Sequence, residues 1–184
     1  MGPIDDLRGL DRQLTREAAW WDAPLAHKVL SAVESAAEGT KLWWCAALAM
    51  AAAGGSRERR AAAAGVLSML TAQLAGNAVG KQLSQRRRPP RDMLPPGEAQ
   101  SRPDSSSFPS GHTAAAVGFT AAVAASSPWW GATAAIPTAI VALERVHSGA
   151  HYPSDVAAGA ATGLASAWLV HYVPRLQMGL GAGE

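Results

Sequence analysis

Five uncharged or nearly uncharged runs follow one another along the chain: Leu42 to Gly55, Ala61 to Gly80, Gly111 to Ser127, Trp129 to Leu143 and Val156 to Val173. None carries a strong polar stripe at three- or four-residue spacing, and in Ala114 to Ser127 nothing stronger than Thr120 interrupts the pattern. Helices apolar on every side are expected where that stripe is missing, so the runs are candidate membrane helices. A span needs about 20 residues to cross roughly 30 Å of hydrocarbon, and only the second and fifth runs reach that length alone. Ala, Gly, Ser and Thr fill the runs, which suits close packing inside a bundle. Trp43, Trp44, Trp129, Trp130 and Trp168 sit at or near run ends, where amphipathic indoles favour the membrane interface. A soluble all-helical protein with unusually apolar core helices is the bland alternative.

Two polar segments break the apolar pattern. In the first, Asp5, Asp6, Arg8, Asp11, Arg12, Arg16 and Glu17 alternate with Ile4, Leu7, Leu10, Leu14 and Ala18 at helical spacing. This predicts an amphipathic helix closed by Trp20 and Trp21, followed by a second segment from Pro24 through Ala37 that carries Glu34. No basic start or apolar stretch before a small-residue cleavage site marks a signal peptide. The pair is expected to lie on the membrane surface or to cap the bundle. The second polar segment, Lys81 to Ser110, is rich in Arg, Pro and Ser, and its paired prolines predict a long loop. The fold expected is therefore all-α, a membrane helix bundle with about five transmembrane helices (residues 41–184) and N-terminal amphipathic helices (residues 1–40).

Composition sharpens this picture. Of 184 residues 48% are hydrophobic, only 16% are charged and 41 are alanine, which excludes a disordered, collagenous or coiled-coil protein. The mean hydropathy of +0.02 averages apolar runs against the two polar segments. Cys45 is the single cysteine, so neither an intramolecular disulfide nor a thiolate metal cage can form. No cluster of carboxylates or histidines has metal-ligand spacing, and no cofactor is expected.

Three polar clusters fall at the ends of the apolar runs. Lys81 and Arg88-Pro89 form Lys, six residues, Arg-Pro; alone, such a basic loop is more often a solvated face, a headgroup contact or a topology signal. Pro109-Ser110-Gly111-His112 precedes the third run; Pro and Ser are ordinary helix-start residues there, but His112 is not explained by capping. Between the fourth and fifth runs stand Arg145, His151 and Asp155 in the spacing Arg, five residues, His, three residues, Asp. Together the blocks resemble the signature KxxxxxxRP, PSGH, SRxxxxxHxxxD of the type 2 phosphatidic acid phosphatase superfamily. The resemblance covers Lys81 to Asp155 and has one departure: Glu144 stands where the signature has Ser.

That resemblance implies a phosphatase acting on a phosphate monoester or pyrophosphate. Lys81, Arg88 and Arg145 would hold the phosphoryl oxygens, as guanidiniums and ammonium groups do when transition-state charge spreads over them. Ser110 would donate a hydroxyl hydrogen bond, and the backbone N–H groups of Gly111 and His112 would offer a helix-start anion site. By the family pattern His151 is the nucleophile, forming a phosphohistidine, while His112 protonates the leaving oxygen and later activates water. Asp155 would orient the His151 imidazole as a triad carboxylate does. His147 matches no motif position, and His27 and His171 are expected to be interfacial or structural. Catalysis without a metal is expected.

The apolar runs favour the lipid-phosphate branch of that superfamily over its soluble acid phosphatases and vanadium haloperoxidases. The expected substrates are then polyprenyl or glycerolipid phosphates, with membrane lipids as neighbours, no nucleic acid as partner and the oligomeric state open. The small residues Ala114, Ala115, Ala158, Gly159 and Gly163 raise the expectation of a groove for sideways entry of the lipid tail between the third and fifth runs. Arg57, Arg59 and Arg60 read as a cytoplasmic turn, which would set the motif loops on the outer face of a bacterial inner membrane. A membrane scaffold or transporter subunit with a basic lipid-binding loop would need none of His112, His151 or Asp155.

Overall fold

Each apolar run falls on a helix, with limits close to those expected for the first, third and fourth runs, while the helix of the second opens five residues earlier and that of the fifth continues to Gly181. The computed structural model describes residues 2–21, 23–76, 84–95 and 105–181, with side chains to position 173. In chain order the helices are α1 (Pro3–Ala19), α2 (Pro24–Ala37), α3 (Lys41–Ala53), α4 (Ser56–Leu74), α5 (Gly111–Ser126), α6 (Pro128–His147) and α7 (Pro153–Gly181), and no strand occurs among the described residues. Pro3, Pro24, Pro128 and Pro153 open their helices, where a missing N–H and a fixed φ cost nothing. The described parts of the Lys81 to Ser110 segment are irregular apart from a short turn at Arg91–Met93. Among the described residues one helix, over Pro153–Val173, is by itself long and apolar enough to cross a membrane. The second run, expected to qualify as well, opens as α4 on Arg57, Glu58, Arg59 and Arg60, and its last residues lie outside those described.

The helix α5 runs through the middle of the molecule, burying Ala114, Ala115, Ala116, Phe119, Ala122 and Val123 against its neighbours. Trp43, Met50, Met69 and Val141 complete the core, so Trp43 is not an interfacial indole: it stacks on Phe119 at 5.6 Å between ring centroids. Trp44, Trp129 and Trp168 do remain exposed. Small residues set the helix spacing. A Cβ on Gly159 of α7 would stand 2.4 Å from the Ser110 carbonyl oxygen, and one on Gly163 would stand 2.6 Å from that of Ala114. At these two glycines the α5–α7 seam is therefore closed by backbone contact, which leaves no room between them for the groove expected there for a lipid tail.

Helix direction places the functional end. At one end Arg57 Nε donates to the Ser126 carbonyl at the close of α5, 2.6 Å away. The opposite end gathers the start of α5, the end of α6 and the start of α7, joined where Ser110 N donates to the Asp155 carbonyl at 3.0 Å. Both N-terminal helices pack at this second end. His147 at the end of α6 lies 2.6 Å through Nδ1 from the Ala18 carbonyl and 3.3 Å through Nε2 from His27 Nδ1 of α2.

Amphipathicity in α1 is reversed relative to a soluble surface helix. Ile4, Leu7, Leu10 and Leu14 are exposed while Asp11, Thr15 and Ala19, four residues apart on one face, are buried against the bundle. Of the two alternatives, the capping one is the one seen: the stripe of Asp11, Thr15 and Ala19 packs on the bundle and the apolar stripe faces outward.

Candidate active site

His151 sits in the short connection between α6 and α7 and is almost completely buried. Its main-chain N–H donates to the Arg145 carbonyl at 2.9 Å, closing the turn that carries it. Nδ1 lies 2.6 Å from the Ser107 carbonyl oxygen. A carbonyl can only accept, so Nδ1 carries the proton and Nε2 keeps the lone pair. Burial, and then the positive charge of Arg88, push the His151 pKa down to about 3, against the pull of the Ser107 bond. The side chain is a neutral imidazole whose Nε2 keeps its lone pair.

The Arg88 guanidinium stands beside that atom, with Nη1 3.5 Å from His151 Nε2. It is held there by a 2.7 Å bond from Nη1 to the Ala150 carbonyl and by contacts of Nε and Nη2 with Ser105. Two of the three motif blocks thus meet, although 63 residues separate these positions. From the remaining block, Ser110 is the N-cap of α5: its Oγ accepts from Thr113 N at 3.4 Å and lies 3.0 Å from Thr113 Oγ1. The hydroxyl expected to serve phosphate therefore caps a helix here. Gly111 has open space where a Cβ would be, and His112 is exposed in the first turn. The N–H groups of that turn project from the helix start, where the helix dipole favours an anion.

Asp155 does not bond the imidazole as expected. Its Oδ2 is 4.0 Å from His151 Nδ1 and instead accepts from the Tyr152 N–H at 2.9 Å, while Oδ1 accepts from Arg86 Nη1 at 2.7 Å. The carboxylate secures the start of α7. Lys81 lies outside the described residues. Arg145, in the last turn of α6, gives its guanidinium to two carboxylates, Glu144 beside it and Glu34 of α2. Among the described residues no three His, Cys, Asp or Glu side chains gather into a metal-binding group.

Comparison with known proteins identifies the family. The family model of the PAP2 superfamily matches residues 62–178. The chain belongs to the PAP2 superfamily. A transmembrane PAP2-type phosphatidylglycerolphosphate phosphatase from Bacillus subtilis has a similar fold, with a TM-score of 0.71 at 20% identity over 92% of this chain and 87% of that one. LpxE from Aquifex aeolicus is similar with a TM-score of 0.68 at 21% identity, over 86% of this chain and 92% of that one. A search among curated proteins finds no significant match.

Within the PAP2 pattern, the departure at Glu144 has a visible consequence: it supplies one of the two carboxylates on Arg145. Sequence reasoning missed Glu34, Ser107, Arg86 and Asp11. Glu34 and Asp11 read as ordinary charges on amphipathic helices, and nothing local says that their partners lie more than 70 residues away. Arg86 was hidden inside the run Arg86-Arg87-Arg88, where one arginine already met the motif. Ser107 offered the only usable signal, closing a serine run directly before Phe108 and the PSGH block.

Proposed function

We propose that the protein is an integral membrane phosphatase that hydrolyses a lipid phosphate monoester or pyrophosphate, of polyprenyl or glycerolipid type, through a phosphohistidine on His151. The observation that carries this reading is the Arg88 guanidinium 3.5 Å from Nε2 of a buried imidazole whose other nitrogen is fixed on the Ser107 carbonyl. The Nε2 lone pair attacks phosphorus, and the bond to the leaving oxygen breaks with its electron pair on that oxygen. His112 protonates the departing oxygen. His112 then takes a proton from water, whose oxygen attacks the phosphoenzyme, breaks the N–P bond and releases inorganic phosphate. Arg88, with Lys81 and the Gly111 N–H, holds the phosphoryl oxygens, so the reaction proceeds without a metal. Asp155 keeps the start of α7, and with it His151, in place.

The bundle is proposed to sit in a bacterial inner membrane, with the site facing outward. Support comes from the position of Arg57 at the far end of α5 from His112, since basic turns stay on the cytoplasmic side. Rapid quenching of purified enzyme with labelled lipid phosphate tests the chemistry. An acid-labile, base-stable phosphoenzyme is expected, absent in His151→Ala, with turnover that survives chelator. Substantial turnover by His151→Ala removes the residue from this role. Equal kcat/KM for a soluble short-chain phosphate and a long-chain lipid phosphate places the substrate outside the lipid class.

A further inference from the structure

The polar face of α1 reaches the nucleophile through a chain of bonds. Asp11 is 3% exposed on a helix whose Ile4, Leu7, Leu10 and Leu14 face outward. Its Oδ1 accepts from the Ser154 N–H at 3.0 Å, and its Oδ2 accepts from Ser154 Oγ and from Arg86 Nη2, both at 2.6 Å. Arg86 Nη1 donates to Ser154 Oγ at 2.6 Å and to Asp155 Oδ1 at 2.7 Å, and the guanidinium lies over the Tyr152 ring, 4.3 Å from its centroid. The main-chain oxygen of Arg86 accepts from Ser107 N at 3.0 Å, and the Ser107 carbonyl in turn takes His151 Nδ1–H. Arg86 thus grips His151 from both sides: by its side chain the three residues Tyr152, Ser154 and Asp155 that follow, and by its backbone the residue that orients the ring.

We propose that Asp11 and Arg86 are positioning residues of the reaction, the ion pair by which the N-terminal helix fixes the nucleophile loop and the Ser107 carbonyl. The proposal rests on His151 being the nucleophile. A helix needed only as a cover would turn Ile4, Leu7, Leu10 and Leu14 inward; this one exposes them and delivers a carboxylate instead. Burial raises the Asp11 carboxyl, but the bonds from Ser154 and Arg86 and the guanidinium charge outweigh it and hold the group ionised below its ordinary value. One arginine shared between Asp11 and Asp155 is an arrangement in which each charge needs the others, since an unpaired buried charge is strongly disfavoured.

The test uses the full-length protein in detergent or nanodiscs, with Asp11→Asn, Arg86→Lys, Arg86→Ala and the Asp11→Asn/Arg86→Ala double variant. Asp11→Asn keeps the shape and an acceptor for Ser154 while removing the charge. Displacement of a reacting group by about 1 Å costs on the order of 100-fold, so kcat and the single-turnover rate of phosphoenzyme formation should fall about 10- to 100-fold. KM should stay within about threefold, because the phosphate contacts are untouched. Added guanidinium should partly restore Arg86→Ala, and the double variant should be little worse than Arg86→Ala, as for residues acting as one unit. Unchanged kcat per folded molecule in Asp11→Asn and Arg86→Lys, with only a lower unfolding temperature, overturns the proposal. So does a raised KM at constant kcat. If Arg86→Ala fails to fold, Asp11→Asn decides. An active His151→Ala would instead sink the nucleophile assignment, whereas an inactive His151→Ala beside a fully active Asp11→Asn sinks this proposal alone.

Discussion

His151 is where burial and chemistry meet at the residue scale. Ordinary histidines protonate near 6.5, but this one, desolvated and beside Arg88, does so only at about 3. Between those values the unfolded chain binds a proton that the folded chain refuses. The folded state therefore loses stability as pH falls through that window, by at most about 1.4 kcal/mol per pH unit. His151→Gln should remove this contribution, and its unfolding temperature in detergent should drop less than the wild type's between roughly pH 7 and pH 4. An equal drop in both proteins would mean that the imidazole is not held neutral. The same depression keeps the Nε2 lone pair available in mild acid, so an acid limb of kcat/KM near neutrality belongs to another group.

The seam between α5 and α7 carries the decisive packing at the element scale. Gly159 and Gly163 let the two backbones touch, which holds Ser110 and the start of α5 against the loop bearing His151. Small-to-large changes in such contacts cost typically about 1–3 kcal/mol and displace backbone. Gly163→Leu should therefore lower the unfolding temperature and reduce kcat/KM for short-chain and long-chain phosphates alike. A selective loss on long chains, with stability unchanged, would restore a lipid groove at this seam. The reversed stripe of α1 belongs to the same scale: its sequence periodicity names two faces, and only the bundle beneath decides which one is buried.

Across the whole molecule, the helices arrange an Arg57 end and a His151 end at opposite poles. The proposed outward orientation of the site has a direct check, because Cys45 is the sole cysteine. In a Cys45→Ser background, Asp92→Cys at the exposed His151 end should react with a membrane-impermeant thiol reagent on intact cells, and Arg59→Cys should react only after permeabilisation. The reverse pattern would put catalysis on the cytoplasmic face. Fold likeness at 20–21% identity extends over 92% and 86% of the chain.

The sequence by itself determined the helices and named most of the candidate site residues. Apolar runs, opening prolines and the N-cap Ser110 act over a turn or two of backbone, so α2 and α5 begin where local chemistry says they must. The spacing of Arg88, His112, His151 and Asp155 likewise depends on order along the chain, which is fully visible. What the tertiary structure decided is the partner of each polar atom. Asp155 caps α7 and pairs with Arg86 rather than bonding the imidazole; Ser107 takes that place; Arg145 is claimed by Glu34 and Glu144; Asp11 bonds Ser154 across 143 residues. The physical reason is range. A helix is specified by contacts within four residues, whereas a buried charge takes whichever complementary group chain closure brings within 3 Å, and no local pattern encodes that choice.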